Sequence, residues 1–113
     1  MYKTNISNVE EEVVEIEGVE KTTVQWLINE KTGAENFAMR RFTMKSKGVI
    51  PLHTHDWEHE VYVLKGQGTV LFEDKEEPVG VNDVIFVPTS KLHGFRNDSE
   101  DDFVFLCLIP IQK

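Results

Sequence analysis

Between residues 22 and 109 the chain breaks into short runs of β-branched and aromatic residues separated by glycine, proline and acidic turn residues. Thr22-Thr23-Val24-Gln25-Trp26-Leu27-Ile28 predicts a strand, polar residues 29–36 a loop, and residues 37–44 a second strand. Glu60-Val61-Tyr62-Val63-Leu64 ends at Lys65-Gly66-Gln67-Gly68, a glycine-marked turn. Thr69-Val70-Leu71-Phe72 gives way to the acidic stretch Glu73-Asp74-Lys75-Glu76-Glu77-Pro78. Val84-Ile85-Phe86-Val87 stops at Pro88, and Phe103-Val104-Phe105-Leu106-Cys107-Leu108-Ile109 stops at Pro110. No stretch carries a capped helical period, so the pattern predicts an all-β sandwich or barrel. Residues 1–20 are acidic and read either as a solvated arm or, over residues 12–16, as a short strand.

Strand parity adds a constraint. Arg40 and Arg41 are neighbours in one strand and face opposite sides. In a closed barrel one guanidinium points inward and needs a partner or an anion; at an edge both reach water.

A length of 113 residues implies one domain over residues 1–113. The formal net charge of -8, from 12 basic and 20 acidic side chains, argues against nucleic acid and against an anionic membrane surface as partners. The lone Cys107 excludes an intrachain disulfide and fits a reducing cytoplasm. The first residues lack the apolar stretch of a signal peptide, and no apolar run approaches the roughly 20 residues of a membrane helix. A cytoplasmic location is therefore expected.

The chain has four histidines, and their placement carries the chemistry. His53, His55 and His59 sit in Pro51-Leu52-His53-Thr54-His55-Asp56-Trp57-Glu58-His59-Glu60, and His93 precedes Gly94-Phe95-Arg96-Asn97. Residues i and i+2 of a strand share a face, so His53 and His55 can aim at one point. Neutral imidazole is a common metal ligand, and four of them would form a nitrogen-rich site for a divalent transition metal.

These segments resemble the two motifs of the cupin superfamily. The first motif there is a glycine, H-x-H, three or four residues, a glutamate, six residues and a glycine. Residues 47–66 follow it, with His53-Thr54-His55, then His59 and Gly66. The second motif runs glycine, five residues, P-x-G, two residues, histidine, three residues and asparagine. Residues 82–97 follow it with Asn82, Pro88-Thr89-Ser90, His93 and Asn97. Three departures stand out. His59 replaces the usual glutamate, Asn82 and Ser90 replace glycines, and the first glycine looks displaced by one, to Gly48 beside Lys47. The nearest likeness is to small single-domain cupins with an all-histidine site.

The resemblance implies a double-stranded β-helix (jelly-roll) barrel with one divalent transition metal per chain, held by His53, His55, His59 and His93. Manganese, iron, nickel, copper and zinc are all candidates. It further implies a pocket lined by Phe42, Ile50, Phe95, Phe105 and Cys107, with Arg40 as the inward arginine that orients the substrate. Glu60 is expected to face away from the site. Without a carboxylate ligand the metal keeps its full charge and favours anionic ligands. The resulting expectation is a dioxygenase-type oxidoreductase acting on a small anionic or enolisable molecule. The alternative is a non-catalytic small-molecule or metal-binding module. Edge strands that need cover lead us to expect a homodimer.

Overall fold

A single 17-residue strand organises the molecule. The computed structural model describes residues 1–113 and contains nine strands and two short 3-10 turns, Ile6–Asn8 and Glu30–Thr32. The strands are β1 (Glu12–Val13), β2 (Glu20–Ile28), β3 (Phe37–His53), β4 (His59–Lys65) and β5 (Gln67–Phe72). They continue as β6 (Glu76–Gly80), β7 (Val84–Val87), β8 (His93–Arg96) and β9 (Phe103–Pro110). The sheet runs β6-β5-β8-β3-β9-β4-β7, with β2 also on β3 and β1 on β2. It curls into the jelly-roll barrel that the strand pattern and the motif resemblance imply. No helix is long and apolar enough to cross a membrane.

β3 serves two parts of the barrel. Its first half pairs Phe37 to Met44 with Pro110 to Phe103 of β9, and its last residues, Val49 to His53, pair with β8. The strand turns between these halves at Lys47 and Gly48. Lys47 adopts φ 69°, a left-handed conformation that residues with a β-carbon avoid. Gly48 has no positive φ, but a Cβ there would lie 2.9 Å from the Lys45 carbonyl oxygen and 3.1 Å from that of Lys21. The displaced glycine of the first motif is thus two requirements on adjacent residues: the backbone twist stays at Lys47, and Gly48 permits close strand approach. Asn82 (φ 73°) and Ser90 (φ 63°), which replace the second motif's glycines, keep the left-handed backbone as well.

Alternation decides which side chains enter the core. Along β4, His59, Val61 and Val63 are buried while Glu60, Tyr62 and Leu64 are exposed. Along β9, Phe103, Phe105, Cys107 and Ile109 face in, and on β3 Ala38, Phe42 and Met44 do so. Phe105 stacks between Phe42 (5.3 Å) and Phe95 (4.6 Å). Full burial of such a side chain is worth about 1.5–3 kcal/mol relative to exposure.

β6 was not anticipated, because its sequence Glu76-Glu77-Pro78-Val79-Gly80 reads as a turn. It pairs only with β5, and an edge is where a strand tolerates a proline that lacks an N–H. The N-terminal segment combines both expectations: it is largely exposed, yet Glu12–Val13 pairs with β2.

Asn97 ties the second motif to β3. It is fully buried, and its Nδ2 donates to the carbonyls of Met44 (2.9 Å) and Asp101 (2.8 Å). Its Oδ1 accepts from Ser99 N (3.0 Å) and Oγ (2.7 Å). Its own backbone exchanges hydrogen bonds with Lys47 N and Gly48 O. The end of β8 is thereby fixed against the bend of β3.

Candidate metal centre

The four histidines come from three strands and one connection. His53 ends β3 and pairs in register with His93, the first residue of β8. His55 lies in the β3–β4 connection, and His59 opens β4. Ring centroids are 4.3 Å apart for His53–His93, 4.8 Å for His53–His55, 4.7 Å for His59–His93 and 5.2 Å for His55–His59. His53, His55 and His93 bring their ligand nitrogens within 4.8 Å of one another and form a group able to hold a metal ion. His59 lies outside that group of three, beside His93 and His55. Of the four expected ligands, the structure therefore brings three into mutual reach and leaves the fourth ring adjacent.

Hydrogen bonds to carbonyls fix which nitrogen two of the rings present. His53 Nδ1 lies 2.8 Å from the Pro51 carbonyl and His93 Nδ1 lies 2.8 Å from the Lys91 carbonyl. A carbonyl only accepts, so each Nδ1 carries the proton and each Nε2 keeps its lone pair. His59 Nδ1 is 3.4 Å from Cys107 Sγ, and His59 Nε2 is buried without any partner. The environment also suppresses the charged forms. Burial, followed by repulsion from neighbouring histidines and Arg40, lowers the His55 pKa to about 4 and the His59 pKa to about 3. Burial lowers that of His93 as well, against the Lys91 carbonyl. Carbonyl-held Nδ1–H groups on His53 and His93, and an orphaned, buried Nε2 on His59, fit a divalent transition metal, whose histidine ligands donate their second nitrogen in this way.

Parity is resolved in favour of Arg40. Its Nη2 donates to Cys107 Sγ at 3.1 Å, and the guanidinium lies 5.5 Å from the Trp26 ring centroid and 4.9 Å from that of Phe42. Its Nε is buried and unpartnered, and it takes part in none of the ion pairs. Arg41 points to the other side, donating to Gln25 Oε1 at 3.1 Å. Arg40 is thus a half-buried cation without a carboxylate partner.

The proposed lining residues Phe42, Ile50, Phe95, Phe105 and Cys107 are all buried in the apolar core. Phe95 carries that core up to His93, their ring centroids 6.4 Å apart. Burial pushes the Cys107 thiol up, and Arg40 beside it pulls in the opposite direction. Glu58 and Glu60 are exposed.

Two tryptophans complete the surroundings. Trp57 stacks on His55, with centroids 4.5 Å apart and planes 9° from parallel. Trp26 was missed by sequence reasoning. It covers Arg40 and also lines a groove of about 510 Å³ with Ala38, Ile109, Glu10, Glu12 and Glu30. None of the four histidines lines this groove. The register Trp26↔Arg40 is the signal that finds Trp26, and it exists only once β2 and β3 are paired.

The chain resembles known proteins over most of its length. The oxalate-binding protein of Thermotoga maritima is 33% identical over 61 residues, 53% of this chain and 50% of that protein. The 1-methylthio-D-xylulose 5-phosphate methylsulfurylase of Rhodospirillum rubrum is 27% identical over 75 residues, 66% of this chain and 48% of that protein. The chain spans about half the length of these curated relatives. Among solved structures, the polyketide cyclase RemF of Streptomyces resistomycificus superposes with a TM-score of 0.95 at 33% identity, covering 99% of this chain and 80% of that one. Residues 40–109, more than half of the chain and including all four histidines, match the cupin domain family. The chain belongs to the cupin family.

Proposed function

We propose that the protein is a metal-dependent enzyme acting on a small enolisable carbonyl compound, with Arg40 orienting the substrate. The observation that carries this reading is a pair of incompletely satisfied side chains, His59 and Arg40, joined through Cys107 Sγ. The buried His59 Nε2 has no partner, and the inward Arg40 has no counter-ion. His53, His55, His93 and, as fourth ligand, His59 would hold one divalent ion. When bound, that ion would supply Lewis acidity at a substrate oxygen. Arg40 then donates to the oxygen on which negative charge develops, with its guanidinium held between Trp26 and Phe42. Neutral His55 and His59 add no competing positive charge.

The reaction that best suits this arrangement is carbon–carbon ring closure of a polycarbonyl substrate. A Cα–H proton is lost to solvent. The enolate carbon so formed bonds to a carbonyl carbon of the same molecule as that carbonyl's π pair moves to oxygen, and the new alkoxide takes a proton back from solvent. The likeness to a polyketide cyclase over 99% of this chain supports it. A second reading, dioxygenation of the same enolate, is favoured by the all-nitrogen donor set, which suits redox-active iron, copper or nickel as well as zinc.

The test loads metal-free protein separately with zinc, manganese, iron, nickel and copper, and assays poly-β-carbonyl compounds in air and without oxygen. Turnover indifferent to oxygen and abolished in His53→Ala supports cyclisation; turnover that requires oxygen selects the dioxygenase. Arg40→Gln should lower kcat/KM by roughly 10²-fold, the usual loss for one donor to a developing oxyanion. A chain that binds these compounds with metal and turns none over is a binding module. Equal metal content in wild type and His53→Ala/His59→Ala would defeat the metal site itself.

A further inference from the structure

Two side-chain nitrogens converge on one buried sulfur. Cys107 lies on the inner face of β9, opposite Arg40 of β3 and Val61 of β4. Its Sγ is 3.1 Å from Arg40 Nη2 and 3.4 Å from His59 Nδ1. A guanidinium donates and never accepts, so the sulfur is the acceptor on that side. His53 and His93 send Nδ1 to backbone carbonyls, Pro51 and Lys91. His59 has no such carbonyl, and the sulfur occupies the corresponding place. The ring nitrogen on the far side, Nε2, is buried and unpartnered, and the residue is only 5% exposed.

We infer that Cys107 is a positioning residue whose sulfur accepts from both His59 and Arg40, setting the tautomer of the one and the aim of the other. A proton held on Nδ1 by the sulfur leaves the Nε2 lone pair free for a ligand. The same sulfur keeps the guanidinium beside the histidines instead of letting it swing along Trp26 toward the groove. The role of Nε2 as a ligand rests on the proposed four-histidine site; the tautomer does not.

Nitrogen-15 NMR of the imidazoles in metal-free protein reads the tautomer directly. Wild type should show His59 protonated on Nδ1. Cys107→Val, close in volume and without an acceptor, should shift the proton toward Nε2, and Cys107→Ser should restore it. Chelator competition for zinc provides the second readout. Affinity should fall roughly 10-fold in Cys107→Val, within the usual range for loss of a partner behind a ligand, and stay within roughly 3-fold of wild type in Cys107→Ser. If the valine destabilises the barrel, Cys107→Ala replaces it. An unchanged His59 tautomer in the valine or alanine variant, or a serine variant that behaves like valine, overturns the inference. His59→Gln separates the two readings. If zinc affinity survives that change, the four-ligand site fails, while the tautomer measurement still decides the role of Cys107.

Discussion

Replacing Asn97 with alanine removes the two donors that satisfy the carbonyls of Met44 and Asp101. Met44 is fully buried, so its carbonyl cannot recruit water, whereas Asp101 is exposed and can. A buried polar group left without a partner costs about 1–3 kcal/mol, and a solvated one costs little. Adding the loss of the Ser99 contacts, Asn97→Ala should destabilise the fold by about 2–4 kcal/mol. With an unfolding entropy of about 2.1 cal/mol/K per residue, this lowers the melting temperature of a 113-residue chain by roughly 8–17 °C. Asn97→Asp separates hydrogen bonding from shape. The aspartate fills the same volume and still accepts from Ser99, but it points a carboxylate oxygen at two carbonyls. At neutral pH it should be less stable than alanine, and the difference should shrink as the carboxyl protonates and regains one donor. Urea unfolding of the three proteins at pH 7 and pH 4 measures all of this. An alanine variant within about 0.5 kcal/mol of wild type, or an aspartate at neutral pH as stable as alanine, would refute the reasoning.

The left-handed positions and the histidines supply two further predictions. Lys47→Gly and Ser90→Gly should stabilise by roughly 0.5 kcal/mol each, the relief of a left-handed backbone being partly offset by glycine's freedom in the unfolded chain. Gly48→Ala should instead destabilise by about 1–3 kcal/mol, because its Cβ meets backbone oxygens. Opposite signs at adjacent residues in thermal unfolding are the diagnostic result, and a stable Gly48→Ala contradicts it. In metal-free protein, His55 and His59 resist protonation down to about pH 4 and pH 3, against an ordinary value of 6.5. Below pH 6.5 the unfolded chain binds protons that the folded one excludes, so this contribution is complete at neutral pH and is lost as pH falls toward about 3. The urea midpoint should drop across that window, and His59→Gln should flatten the decline; an unchanged slope would sink the assignment.

Local chemistry made much of this legible in the sequence. Six of the strands announced themselves by alternation and turn residues, and the histidine spacing named the ligand candidates before any strand was paired. Parity set Glu60 to face away from the site and Arg40 and Arg41 to face opposite sides. The rest depends on register between distant segments. That Arg40, the expected inward arginine, is covered by Trp26 and tied to Cys107 follows from β2–β3 and β3–β9 pairings that no local pattern encodes. β6 escaped notice because an edge strand can be acidic and contain a proline. The split of one motif glycine into Lys47 and Gly48 reflects two different demands, dihedral and steric, that a single sequence position cannot reveal.

The strand order has a consequence for how the chain acquires its shape. β3 and β4 are successive in sequence but lie apart in the sheet, separated by β9. Until residues 103–110 have been synthesised, β3 and β4 face a slot whose hydrogen-bonding edges have no partner. The β5–β6 hairpin, being local, can form early. The nascent chain therefore displays two unsatisfied edges until its central strand arrives, and crowding with other unfinished copies is most hazardous in that interval. β9 is the keystone laid after the arch it supports.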